Sequence, residues 1–306
     1  MKKPSGSAPR LILFLCFALL AVGSFTWGVV QLGHRERGYQ TIDTDDAYGD
    51  VLFRAGLTLR YWAEGSSAEI RDLTERVSRV YSDSLYTHFR LLDPDQVYGG
   101  ITNLASLNAS PGEVLPVPSR LAAVLRDALE KTEQGIGYSV LAGPLFREWR
   151  TLLYLEDPEP FDPLNSLEEA ERLKNLTGTL RDPSAASLAL SESKNQTFAC
   201  LQVAPFLSDL MNALELSAPV LDLALLHDAY LMDLVAEDLL AAGYDQGVLY
   251  SRSGLTRCLR PGETLSVVPD DTHPENILSA SAPAAAARFT PGPRTRSRDR
   301  GTGRRR

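Results

Sequence analysis

Residues 221–243 read LDLALLHDAYLMDLVAEDLLAAG. This apolar-rich run closed by Gly243 specifies a helix with a defined start and stop. Asp222 is placed to cap the helix that follows, and Asp228 sits at the helix start, where the dipole favours a carboxylate. Just before it, Leu225 and Leu226 add bulk at a turn, a place where glycine is needed if backbone is to approach a phosphate closely. Where this helix packs decides the fold.

Upstream, residues 51–61 alternate apolar and polar side chains and predict paired strands around Gly56. Ile70, Leu73, Val77, Val80, Tyr81 and Leu85 recur at spacings of three and four, the stripe of a helix packed on that sheet. Ser119 is expected to cap a second helix with Leu121, Val124, Leu125, Ala128 and Leu129 inward. Ser166 and Glu169 are spaced as a capping box on a third. Residues 187–203 predict a hairpin, and 248–250 and 264–268 predict further strands. The sum is an α+β domain with helices against a mixed or antiparallel sheet.

The chain has 306 residues, of which 44% are hydrophobic and 23% charged, which is ordinary globular usage with enough length for a sizeable core. The formal net charge of -8 hides an asymmetry. Residues 280–306 are rich in Ala, Pro and Arg and carry almost no large apolar side chains, so they predict a disordered basic tail. The acidic body that precedes it argues against nucleic acid as a partner, because phosphate binding draws on clustered Lys and Arg.

Residues 1–10 carry Lys2, Lys3 and Arg10, and residues 11–30 contain no charge. A run of that length can span a bilayer as one transmembrane helix, and the preceding cations favour a cytoplasmic N-terminus. The run is too long for a usual signal-peptide core, which favours an uncleaved signal anchor with the body extracytoplasmic at the cell membrane. Cys16 follows a poor lipobox, Leu13, Phe14, Leu15. Residues 31–47 read as a polar tether, and 48–279 as the folded domain. Cys200 and Cys258 could pair outside the cytoplasm, but two semi-buried apolar thiols is the simpler reading.

Several short segments follow one another in a recognisable order. Residues 98–108 read YGGITNLASLN; Val117, Pro118 and Ser119 enter a helix ending near Gly135 and Gly137; GPLFREW spans 143–149; DPEPFDP and SLEEAERL follow. This series resembles the ApbE family of FAD:protein FMN transferases, whose members carry YxGxxNLxxLN, GPLxxxW and then DLGxxAKGYxxD before a helix and a Gly. Asp222, Leu223, Tyr230, Asp233 and Gly243 fall at matching positions of that last motif. Ala224, Leu225, Asp228 and Ala229 stand where small residues, a Lys or Glu, and a Gly are usual.

The resemblance covers roughly residues 48–258 and implies an ApbE-like flavin transferase fold. It implies Mg-dependent transfer of FMN from FAD to a Thr of an extracytoplasmic flavoprotein, a phosphoryl transfer in which positioning and a divalent metal do most of the work. Gly137, Tyr138 and Ser139 occupy the place where the family meets the adenine, Tyr98 that of an aromatic lining the flavin pocket, and Asp222 that of an FAD contact. The backbone carbonyl of Leu225 corresponds to a metal ligand, and Asp228 to a carboxylate that accepts the proton of the acceptor hydroxyl. The departures at Leu225 and Asp228 leave two alternatives open: a flavin- or flavoprotein-binding module without catalysis, and a truncated remnant without function.

Overall fold

A computed structural model describes residues 36–44, 48–134, 138–154 and 159–260. The segment 11–30, the strand expected over 264–268 and the basic tail lie outside the described residues. Among those described, no helix is long and apolar enough to cross a membrane.

The chain begins its described course with β1 (Glu36–Ile42), α1 (Asp50–Ala55), β2 (Leu57–Gly65) and α2 (Ser67–Leu92). In β2 the odd positions Leu57, Leu59, Tyr61 and Ala63 are buried and the even ones face outward, the period-two signature of a strand. Ser66 and Glu69 cap α2 reciprocally, and Ile70, Val77, Tyr81, Leu85 and Phe89 line its buried face. The phenol of Tyr81 donates to the carbonyl of Leu57 at 2.8 Å, tying helix to sheet inside the core.

Next come α3 (Leu104–Ala109), β3 (Leu115–Val117), α4 (Ser119–Glu133), α5 (Gly143–Tyr154) and α6 (Leu167–Leu180). The expected hairpin is formed by β4 (Ala186–Ser193) and β5 (Gln196–Val203). Lys194 and Asn195 turn it with φ of 50° and 63°, the doubly left-handed turn that matches strand twist. After α7 (Pro205–Ala213), a short 3-10 turn (Ala224–Leu226) leads into α8 (His227–Ala241), followed by β6 (Gly247–Ser251) and β7 (Thr256–Cys258).

The strands form two antiparallel sheets, one ordered β1-β2-β6-β7 and the other β3-β5-β4. Side chains from both sheets join α2, α4 and α8 in one core, with Leu59, Tyr81, Leu125, Leu201 and Val235 inside it. The fold is therefore α+β with antiparallel sheets and packed helices. Cys200 on β5 and Cys258 on β7 are both free thiols.

Three local expectations give way. Residues 50–55 are a helix rather than the first arm of a hairpin. Leu52 and Ala55 lie one turn apart and are buried, and Gly56 takes φ 64° as the helix C-cap, so its glycine ends a helix instead of turning a strand pair. Residues 36–42 of the expected tether are the edge strand β1. Their polar composition conceals a cross-strand pair, Tyr39 edge-on to Trp62 at 5.3 Å. Ser119 does not cap α4 but is its first residue, because Pro118 already holds the extended conformation that a cap position requires. On α6 only half of the expected capping box forms: Ser166 accepts the Glu169 amide at 3.3 Å, while the Glu169 carboxylate pairs with Arg172.

Asp238 joins α8 to two neighbours. Its Oδ2 accepts from Ser84 and meets His88 Nε2, each at 2.7 Å, while Arg120 reaches Oδ1 at 3.2 Å. Burial pushes this carboxyl up, but the bonds from Ser84 and His88 and the charge of Arg120 outweigh it and hold it below the ordinary carboxylate value. A depressed folded-state value contributes stability above the unfolded value and loses it as pH falls through the folded one. Asp238→Ala is expected to cost about 2 kcal/mol at neutral pH. In urea melts the gap to the parent chain should narrow as pH falls through the carboxylate range, and a pH-independent gap contradicts the assignment.

Candidate functional site

The motifs of the sequence meet at one loop, residues 219–224. Asn108, the last residue of the NLASLN segment, donates its Nδ2 to the Leu221 carbonyl at 2.8 Å and accepts the Leu221 amide on Oδ1 at 2.9 Å. Leu221 is fully buried, so its backbone groups need these partners. From the GPLFREW segment, the Gly143 amide donates to the Val220 carbonyl at 3.1 Å. The Asp222 amide donates to the Val140 carbonyl at 2.9 Å, and the Tyr138 phenol reaches the Leu223 carbonyl at 3.3 Å. Gly143 has no room for a side chain: a Cβ would overlap the Pro219 carbonyl oxygen and lie 2.9 Å from Asp222 Cβ and 3.0 Å from the Val220 carbonyl oxygen.

Asp222 does not cap α8. Its Oδ1 accepts the Ala224 amide at 2.7 Å and so closes the turn that precedes the helix. That turn puts Ala224 at φ 45°, in the left-handed region that favours glycine, and Ala224 occupies the position of the glycine in the DLG pattern.

Tyr138 lies within electrostatic reach of Asp222 and Asp127, and Tyr230 joins them. The Tyr230 phenol donates to Asp127 Oδ2 at 2.5 Å, and Lys131 pairs with the same carboxylate. Burial pushes the Tyr138 phenol far up, and the charges of Asp222 and Asp127 add to the rise. Burial and the bond to Asp127 do the same to Tyr230. Both phenols are therefore hydrogen-bond donors throughout the physiological range. Ser139 turns inward on its own backbone, with Oγ accepting the Leu141 amide at 3.2 Å. Gly137 lies outside the described residues.

Asp228 lies at the start of α8, facing the β6–β7 turn. Its Oδ2 accepts the Ser253 hydroxyl at 2.6 Å, its Oδ1 meets His227 Nδ1 at 3.3 Å, and Ser251 and Ser253 share a hydroxyl contact of 2.7 Å. Burial pushes the Asp228 carboxyl up, yet the bonds from His227 and Ser253 bring it below the ordinary range and keep it ionised. Leu225 projects its side chain into solvent from the 3-10 turn, 73% exposed.

Tyr98 takes a different position. Its phenol donates to Asp93 Oδ2 at 2.8 Å, beside Arg54, and the Arg90 guanidinium stacks on its ring at 4.7 Å. Burial, followed by the bond to Asp93, pushes this phenol up to about 12. Tyr98 connects to the α8 start through side-chain contacts: Arg54 stacks on Phe89, and Phe89 meets His227 edge-on at 6.0 Å. Sequence reasoning missed Asn108, Gly143 and Ser253; the first two were visible as fixed letters of motifs, while nothing local marks Ser253.

Among the described residues no three His, Cys, Asp or Glu side chains converge to hold a metal ion. The described part of the site thus does not fit a Mg ion held by protein carboxylates alone. Two surface hollows lie elsewhere, one of about 390 Å³ between β1 and α2 and one of about 750 Å³ along α6 beside Trp149. No protein-family model matches this chain, and no curated protein or solved structure matches it.

Two substitutions test the loop. Ala224→Gly is expected to stabilise the protein by about 0.5 to 1 kcal/mol by relieving the left-handed alanine. Gly143→Ala is expected to destabilise it by about 3 kcal/mol, since the obstacle is a backbone carbonyl that cannot rotate away. Denaturant melts of the two variants check both signs; a neutral Gly143→Ala would place residues 143 and 219 farther apart than described.

Proposed function

We propose that this chain binds FAD against the 219–228 loop and is arranged to move its FMN half onto a hydroxyl group, in the manner of the FAD:protein FMN transferases it resembles. The supporting observation is the left-handed backbone at Ala224, in the loop on which Asn108, Gly143 and Tyr138 converge. A position that needs glycine geometry coincides with the glycine of the family's flavin motif. In this reading Asp222 and the backbone at Tyr138 and Ser139 border the nucleotide, and the ionised Asp228 serves as proton acceptor for the incoming hydroxyl. Residues 11–30 would hold the body at the outer face of the cell membrane, within reach of an extracytoplasmic flavoprotein acceptor. Mg would come with the nucleotide phosphates, on which such ions commonly rely for part of their coordination.

One observation favours a second reading. Asp228 already carries a hydrogen bond from Ser253, so an external hydroxyl would have to displace it. In that case the chain holds the nucleotide, or a flavoprotein carrying it, without turnover.

Titration of FAD with the whole chain separates these readings from the absence of any flavin role. Saturable quenching of FAD fluorescence is expected, weakened at least tenfold by Leu225→Glu, which puts a negative charge on the exposed turn beside the pyrophosphate. With Mg and an acceptor flavoprotein, AMP release and covalent flavin fluorescence mark transfer. Saturable binding without AMP marks the binding module, and a cooperative melt without saturable binding refutes the flavin reading.

A further inference from the structure

The hollow of about 750 Å³ along α6 has the size of a ligand site, for which about 300 to 1,000 Å³ is usual. Ala170, Leu173, Lys174, Thr177, Gly178 and Arg181 line it, and their spacings of three and four place them on one face of the helix and its C-cap. Trp149 of α5 and Pro163 of the connecting segment complete the wall. Gly178 makes the room, because a Cβ built on it meets nothing within 4 Å.

The charge of this hollow runs against that of the chain. The sequence holds 39 Asp and Glu against 31 Lys and Arg, yet no residue lining the hollow is acidic. Nearby carboxylates are drawn to Arg172 instead, which pairs with both Glu148 and Glu169. Lys174 and Arg181 are exposed, and among the described residues neither has an ion-pair partner. Seven residues separate them, about 10 Å along a helix axis. Two cations that far apart match an extended ligand with more than one negative group.

The remaining groups narrow the chemistry. Trp149 is 44% exposed, an indole surface on which the C–H face of a sugar ring can stack. Asn175, Thr177 and Thr179 add neutral side chains that both donate and accept hydrogen bonds, as sugar hydroxyls do. An extended peptide would need free backbone partners, and a helical wall keeps its own amides and carbonyls bonded internally. Lys174, Asn175, Gly178 and Arg181 are all exposed, so the hollow is open along its length and suits a stretch of polymer.

We propose that the α6 hollow binds a segment of an acidic polysaccharide, with a sugar ring on Trp149 and uronate carboxylates on Lys174 and Arg181. The Arg181 fork can take a carboxylate through two N–H bonds, while Lys174 acts as a point charge. This site does not depend on the proposed binding of FAD.

Isothermal titration of the whole chain with a linear tetra-uronate, a neutral tetrasaccharide of the same linkage and tetraglutamate tests it. The uronate is expected to bind saturably, at least tenfold tighter than the neutral sugar, and to weaken as salt is raised. Lys174→Ala and Arg181→Ala should each weaken it about tenfold, the scale of one lost charge-assisted hydrogen bond. Gly178→Leu fills the hollow and should abolish binding, with a melt no lower than that of the parent. Absence of saturable uronate binding, equal affinity for the neutral sugar, or unchanged affinity in Gly178→Leu overturns the site. Tetraglutamate binding as tightly as the uronate overturns the saccharide assignment and marks an acidic-peptide surface. Failure of FAD to bind the same chain leaves each of these outcomes readable.

Discussion

The Asn108 carboxamide does for Leu221 what a neighbouring strand does for a residue in a sheet: it offers one acceptor to the amide and one donor to the carbonyl. Leu221 is fully buried, so losing either bond would strand a backbone group away from water at a cost of about 1 to 3 kcal/mol. Because Asn108 lies in the last turn of α3, this pairing fixes the 219–224 loop against a helix that is distant in sequence. Gly143 and Val140 grip the same loop from the side of α5. The turn at Ala224, closed by Asp222, follows directly from this clamped loop and leads into α8.

The helix that follows explains how an acidic segment can be buried. Leu231, Val235 and Leu239 enter the core, and the polar residues between them each meet a different element. Asp228 takes Ser253 of the β6–β7 turn, Tyr230 takes Asp127 of α4, Asp233 pairs with Arg257 of β7, and Asp238 gathers Ser84 and His88 of α2. Satisfied polar groups of this kind hold the helix in one orientation. The residues of α8 are thereby held by the same contacts that build the fold.

The sequence carried the regular elements well where a periodic stripe met a long buried face, as on α2, and where a two-residue turn separated alternating arms, as at Lys194 and Asn195. It misled at Gly56, because a glycine between apolar runs serves equally as a hairpin turn and a helix cap, and only packing of Leu52 and Ala55 decides. It misled at residues 36–42, because an edge strand needs little apolar surface and its cross-strand partner is far along the chain. Tyr138 and Asp222 stand out in the sequence only through motif order, and their bonds to the Leu223 carbonyl and the Ala224 amide were not legible there. Tyr98 was legible as an aromatic, while its tie to Asp93 was not. Ser253 meets Asp228 across a loop and a strand, a contact that no local pattern encodes.

The central claim is that the 219–224 loop is clamped before any ligand arrives. Amide hydrogen exchange on the whole chain, resolved at Leu221, Asp222 and Gly143, measures this directly. The account predicts that these three amides exchange only through global opening, as slowly as amides in the middle of α2 and α8. Exchange of Leu221 as fast as that of the Lys194–Asn195 turn would contradict it.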